Sequence, residues 1–130
     1  MSEEYPDDLR YTKDHEWARV EGNVATIGIT RFAVEQLGDI TQVDLPKEGE
    51  QVTRGQVFGT VESVKAVSDL FAPVSGKVLK ANDPLSDSPE YINEDCYDEG
   101  WMIQVELSNP AELESLMNGE QYQKFVEEQG

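Results

Sequence analysis

One lysine in this chain stands where a covalent group could be carried. Lys65 lies in the short link Ser63-Val64-Lys65-Ala66, between two runs that alternate faces at period two, Gln56 to Glu62 and Val67 to Ala72. In the first run Val57, Gly59 and Val61 fall on one side, and Phe58 and Thr60 on the other. The second run stops at Pro73, which cannot donate to a sheet ladder. Strands joined by so few residues pair with each other antiparallel, so Lys65 is expected at the tip of a protruding hairpin. An amine held there can be acylated and its cargo handed to other proteins. A lysine at a turn can equally be plain solvated punctuation, and the residues around it separate the two readings. Glu62 lies three positions before Lys65, Ala66 directly after it and Asp69 four after it, and Pro73-Val74-Ser75-Gly76 closes the second strand.

Few other residues could do chemistry. Cys96 is the only cysteine, which excludes an internal disulfide and fits a reducing compartment. With Glu94, Asp95 and Asp98 close by, its thiolate is expected to be disfavoured, and the residue to be non-catalytic. His15 is the only histidine, so no His-rich metal site can form. The sequence contains no Gly-x-Ser-x-Gly elbow, no Gly-rich phosphate loop and no Cys-x-x-Cys. Ten basic residues stand against 27 acidic ones, a formal net charge of −17. Such a surface repels phosphate backbones and anionic lipid, and it suits docking on basic patches of partner proteins. No membrane-spanning run occurs and no signal or transit peptide is visible, so a cytoplasmic protein is expected.

The elements that position Lys65 follow from turn and cap signals. At 130 residues the chain fits one domain, 1–130, with residues 1–8 as a loose acidic tail. Ala18-Arg19-Val20 and Val24 to Ile29 read as a hairpin about Gly22-Asn23, with His15 and Trp17 packed at a strand edge. Thr30 is a candidate N-cap for a helix over Arg31 to Leu37, with Gly38 as its stop. Strands are expected over Asp39 to Leu45 and Gln51 to Thr53, another runs out of Pro73-Val74-Ser75-Gly76 and carries Lys77 and Lys80, and a last one covers Trp101 to Leu107. Ser88-Pro89 predicts one helical turn, with serine as cap and proline at its first position. Residues 108–130 are expected to form C-terminal helices. The first is capped at Ser108-Asn109-Pro110, with Leu113, Leu116 and Met117 buried, and is broken at Gly119; the second, Glu120 to Gln129, packs Tyr122, Phe125 and Val126 inward. A weak internal echo sets Asp39-Ile40 followed by Pro46-x-x-Gly49 against Asp69-Leu70 followed by Pro73-x-x-Gly76, as two quasi-equivalent halves would. Short strands with frequent turns argue for a mainly β sandwich or flattened barrel with short helices.

The run Glu62-Ser-Val-Lys65-Ala-Val-Ser-Asp69-Leu-Phe-Ala-Pro-Val-Ser-Gly76 resembles the attachment signature of the glycine cleavage system H-proteins. A biotin carrier would have methionines beside the lysine, and none occur here. Tyr11-Thr-x-x-His15-Glu16-Trp17 and Gly100-Trp101-Met102-Ile103 match the same family, so the resemblance covers roughly residues 9–125. Arg31 and Asp14 depart from the family pattern, which bears on cleft polarity and docking. The resemblance implies a barrel-sandwich hybrid with the lysine hairpin at one end. It implies lipoic acid joined to Lys65, on an arm reaching roughly 15 Å. It makes Glu62, Asp69 and Gly76 the recognition residues for lipoylation, and His15, Glu16 and Asp69 candidates for a cleft that shelters the arm. It implies a non-catalytic monomeric carrier. A pyridoxal-phosphate (PLP) dependent glycine decarboxylase loads an aminomethyl group, a tetrahydrofolate-dependent aminomethyltransferase unloads it, and dihydrolipoyl dehydrogenase reoxidises the arm. A lipoyl transferase or ligase attaches the group. The alternative is a lipoyl domain or lipoyl relay serving 2-oxoacid dehydrogenase complexes. Against the lipoyl-domain form stand the His-Glu-Trp segment, the C-terminal helices and the lack of a linker or catalytic domain.

Overall fold

The computed structural model describes residues 8–129. Apart from Asp8, the expected N-terminal tail lies outside them. Nine strands run β1 Arg10–Tyr11, β2 Glu16–Glu21, β3 Val24–Ile29, β4 Ile40–Asp44, β5 Gln51–Val52, β6 Val57–Ser63, β7 Val67–Phe71, β8 Gly76–Ala81 and β9 Ile103–Leu107. They form a six-stranded sheet in the order β1-β2-β3-β9-β8-β5 and a three-stranded sheet in the order β4-β6-β7. Every pairing is antiparallel. Ala25, Ile27 and Ile29 of the large sheet share one buried cluster with Val43, Val61 and Leu70 of the small one. Two sheets closed over one apolar core match the flattened barrel-sandwich expected, with the lysine hairpin β6–β7 forming one edge of the small sheet. The sequence echo also has a counterpart: β4 and β7 both flank β6, and β5 and β8, which follow them, pair with each other.

The first helix obeys its local signals. In α1, Arg31–Leu37, the Thr30 hydroxyl accepts from the Ala33 N–H, Val34 and Leu37 are buried, and Gly38 ends the helix at φ +80. Other expectations need correction. β6 does not simply alternate: its register shifts between Val57 and Gly59, so Val57 is exposed while Phe58 and Val61 are both buried. Gly59 lies so close to the Asp44 carbonyl that a Cβ there would collide with it. The helical turn α2, Glu90–Glu94, begins one residue later than expected, with Pro89 at the N-cap and no side-chain cap. The segment after β9 is a 3-10 helix, Pro110–Ser115, with no side-chain cap from Asn109. Gly119 opens the last helix, α3 Gly119–Gln129, rather than merely breaking the previous one.

A second cluster joins the two ends of the chain. Leu9, Tyr11, Trp17 and Tyr122 are buried together, with Phe32, Phe125 and Val126 packed on them. The Tyr11 and Tyr122 rings stack at 4.7 Å, and Tyr11 exchanges backbone hydrogen bonds with Met117. Trp17 is therefore interior, not at an edge, and its indole N–H donates to the Cys96 carbonyl at 3.0 Å. It faces Gly28 across β2 and β3, where an added Cβ would stand 2.7 Å from the indole carbons. Gly28→Ala should therefore destabilise the fold by about 2 kcal/mol, the usual penalty for overpacking a filled site. Urea denaturation measures it, and an unchanged midpoint would show that the indole can move aside.

Candidate functional site

The sequence places Lys65 in a four-residue link, and the backbone there closes tightly. Ser63 N–H donates to the Ala66 carbonyl at 2.8 Å, while the Ser63 hydroxyl oxygen accepts from the Ala66 N–H at 3.1 Å and the Lys65 N–H at 3.3 Å. The tip is tied to the rest of the molecule by Val64 N–H, which donates to the Asp39 carbonyl. Lys65 is exposed, and so are its neighbours Val64 and Val67, at 69% and 67%. The lysine stem crosses Gly38 at the end of α1; a Cβ on Gly38 would be 3.1 Å from Lys65 Cε. Glycine thus leaves a shallow passage for the stem at the point where α1 stops.

Along α1 opens a cleft of about 720 Å³, lined by Asp14, His15, Phe32, Ala33, Gln36, Leu37 and Ser68. Phe32, Ala33, Gln36 and Leu37 share one helical face, because residues four apart lie on the same side. His15 lines the same cleft. Its backbone sits at φ +71, and its Nδ1 lies 2.6 Å from the Tyr122 hydroxyl, which is 2.7 Å from the Thr30 hydroxyl. Phe32 packs against the imidazole at 4.6 Å. Burial lowers the His15 pKa despite the opposing effect of Asp14, so the ring is neutral near pH 7.

Glu16 is found elsewhere, in an adjoining cavity of about 370 Å³ that it lines with Asp14, Arg54, Pro73 and Met117 among others. It is 1% exposed. One carboxyl oxygen accepts from the Thr12 hydroxyl at 2.7 Å and the other from the Phe71 N–H at 3.1 Å. Burial nevertheless dominates and pushes its pKa from 4.5 up to about 8, so it holds a proton at neutral pH. Asp14 lines both cavities. Asp69 is exposed on β7 opposite Thr60 and lines neither, although its neighbour Ser68 lines the larger. Of the three cleft candidates, then, His15 and Glu16 open onto adjoining cavities and Asp69 stands outside. Sequence reasoning missed the face of α1, reading only Phe32, Val34 and Leu37 as apolar contacts of the helix; its signal is the spacing of Phe32, Ala33, Gln36 and Leu37.

The family model described as Glycine cleavage H-protein matches residues 9–129. The chain belongs to the glycine cleavage H-protein family. The glycine cleavage system H protein of Anaeromyxobacter sp. (strain K) is 60% identical over 126 residues, covering 97% of this chain and 98% of that one. The namesake from Carboxydothermus hydrogenoformans is 54% identical over 125 residues, 96% of each chain. The crystal structure of the glycine cleavage system H protein from Mycobacterium marinum superposes with a TM-score of 0.85 at 39% identity, covering 92% of this chain and 96% of that one.

Within the H-protein frame the unusual residues find places. Arg31 lines neither cavity; its guanidinium donates to the Asn93 carbonyl and its N–H to the Tyr97 hydroxyl, so it braces α2. Asp14, in contrast, adds a carboxylate to both cavities. Cys96 is buried and its thiol is pushed up to about 11. The direction is the one expected, but burial is the main cause and Arg31 works against it, so the neighbouring carboxylates are secondary.

Proposed function

We propose that this chain is the lipoyl carrier of the glycine cleavage system, with Lys65 as the single attachment point. The observation that carries the reading is the placement of Lys65, exposed at the hairpin tip with its stem laid over Gly38 beside the α1 cleft. The residues present fit the group: a free amine at a tight turn, a glycine passage and a roomy channel with one apolar wall. A lipoyl group there would supply a disulfide whose S–S bond is reductively opened as it takes up the aminomethyl unit of glycine, leaving after unloading a dithiol for reoxidation. The protein presents, shelters and docks; the reactions belong to the bound group and to the partner enzymes.

The shelter follows from the side chains. Phe32, Ala33 and Leu37 offer apolar contact, and His15 and Gln36 add polar atoms along the same channel. Glu16, protonated at neutral pH, can give its proton to an amine that enters its cavity. The carboxylate so formed already has two donors, Thr12 and Phe71, and pairs with the ammonium it has created. Asp14 brings a further carboxylate to the same cavity.

Glu62 and Asp69 flank the lysine on β6 and β7, and with Gly76 they form the set we assign to recognition by a lipoyl transferase or ligase. Gly76 acts through the frame, because a Cβ there would collide with the Glu106 carbonyl and push β8 away from β9. The partners are the PLP-dependent decarboxylase, the tetrahydrofolate-dependent aminomethyltransferase and dihydrolipoyl dehydrogenase, met in the cytoplasm by a monomer. None of the helices among the described residues is long and apolar enough to cross a membrane.

Reconstitution tests the reading. Lipoylated chain added to the isolated partner enzymes should support glycine decarboxylation, and unlipoylated chain should not. With −17 charges on the carrier, apparent affinity should weaken as ionic strength rises, because screening shortens the reach of surface charge. Decarboxylation that proceeds without the lipoyl group would end the carrier reading. Affinity that stays flat with salt would end only its electrostatic part.

A further inference from the structure

The backbone under the Lys65 stem is held by a residue far away in sequence. The Asn93 side chain, on α2, bonds both sides of residue 39: its Oδ1 accepts from the Ile40 N–H at 2.9 Å, and its Nδ2 donates to the Gly38 carbonyl at 2.8 Å. The two partners fix the orientation of the amide, since one can only donate and the other only accept. Asn93 thereby acts as a substitute strand neighbour on the outer edge of β4. Between the two bonds, Asp39 turns its carbonyl to the hairpin and accepts from the Val64 N–H at 3.1 Å, one residue before Lys65. Gly38, at φ +80, leaves room for the lysine stem. Three residues thus form a joint with α2 on one side and the lysine hairpin on the other. Asn93 is itself backed by Arg31, which donates to its main-chain carbonyl.

We infer that Asn93 is a positioning residue for Lys65: by fixing Gly38–Ile40 it sets the height of the hairpin tip and the direction in which the lysine stem leaves it. The inference rests on the reading of Lys65 as the lipoylated residue. It adds that the amine is presented to the lipoylating enzyme in one orientation, over the end of α1, rather than as a freely sweeping side chain. Without the amide, Ile40 N–H and the Gly38 carbonyl lose their partner, the joint loosens, and the amine samples directions that do not suit attack. Glu62, Asp69 and Gly76, assigned above to recognition, lie on the strands and outside the joint, so the loss should fall on turnover rather than on binding.

Asn93→Ala is the decisive variant, because Gly38→Ala would add backbone strain as well as crowd the stem. Asn82→Ala is its control. Asn82 is buried where Asn93 is half-buried, and like Asn93 its side-chain amide bonds the backbone, donating to the Glu99 and Trp101 carbonyls, but it lies away from the hairpin. Purified unlipoylated parent, Asn93→Ala and Asn82→Ala are given to a lipoate–protein ligase with lipoate and ATP, and Lys65 modification is followed by peptide mass. Asn93→Ala should lose about tenfold in kcat with KM little changed, the scale expected when a reacting group is misplaced by a fraction of an ångström or more. Asn82→Ala should keep the parent's kcat while melting at a similarly lowered temperature. Acetylation of Lys65 by a small N-hydroxysuccinimide ester, which needs no docking, should proceed equally in all three. Asn93→Ala modified at the parental rate, or both variants slowed alike, would overturn the positioning role. A parent that the ligase does not modify at Lys65 would instead remove the reading of the lysine itself, and the inference with it.

Discussion

Lys65→Arg protein made in cells that lipoylate the parent will carry no lipoyl group and will support no glycine decarboxylation. The effect is complete because a carrier without its arm has nothing to load. Arginine keeps a positive charge and a long stem, but its guanidinium stays protonated and offers no free amine for acylation. The two lysines that follow the hairpin do not replace it. Lys77 and Lys80 lie in β8, paired with Glu106 and Gln104, so their backbones are held in the middle of the large sheet rather than at a turn. Neither has a glutamate three positions before it and an aspartate four after. Intact mass of the purified variant decides the matter, with peptide mapping of the parent as reference. A lipoyl group on Lys65→Arg protein would show that another lysine is used and that the hairpin tip is not what the ligase reads. A synthetic peptide spanning residues 55–78 should also be a poor substrate, since an isolated two-stranded hairpin is barely stable in water.

The parts of the molecule legible in the sequence are those whose causes are local. Helix α1 begins and ends where expected because Thr30 caps it and Gly38 stops it within the segment itself. The hairpin around Lys65 is equally local, being two alternating runs and a four-residue link. What the sequence hid depends on approaches between distant segments. The bulge in β6 exists because Gly59 lets the Asp44 carbonyl come close, and nothing in the run Val57–Val61 announces that neighbour. The candidate cleft is assembled from a loop at His15, one face of α1 and Ser68 on β7, three pieces with no common motif. Asn93 reads only as the last residue of a helical turn in a polar stretch, and its role depends on α2 folding against the start of β4. Trp17 was expected at an edge, yet the closing of the chain ends around Tyr11 and Tyr122 buries it completely. Glu16 shows the same limit most clearly: the family resemblance singles it out as a cleft candidate, but only the fold removes it from water.

Glu16→Gln should shorten the life of the loaded carrier by about tenfold, the scale of losing one charge-assisted hydrogen bond. The aminomethyl cargo on sulfur is open to attack by water, giving formaldehyde and ammonia, so its survival depends on exclusion of solvent and on a partner for the amine. Glutamine keeps the shape. Its oxygen can accept from the Phe71 N–H, while its NH2 group cannot take the proton that the Thr12 hydroxyl gives to Glu16, so one bond is lost at unchanged side-chain volume. What it lacks is the proton to give and the negative charge left behind. Lipoylation and reoxidation by the dehydrogenase should be unaffected, because both act on the arm outside the cavity. Asp69→Ala should shorten the lifetime less, since Asp69 is exposed and lines neither cavity. Stability supplies an independent check on the state of Glu16. Its pKa is raised from 4.5 in ordinary surroundings to about 8 in the folded chain. Between those values the folded state binds a proton that the unfolded state has released, so this group's contribution is full below pH 4.5 and is lost as pH climbs toward 8. The parent should therefore lose about 4 kcal/mol more than Glu16→Gln between pH 5 and pH 9, and comparing the two cancels the repulsion among the remaining carboxylates. Parallel stability curves would mean that Glu16 is already ionised at neutral pH. Loaded Glu16→Gln that releases formaldehyde no faster than the parent would mean that the buried carboxyl does not guard the cargo.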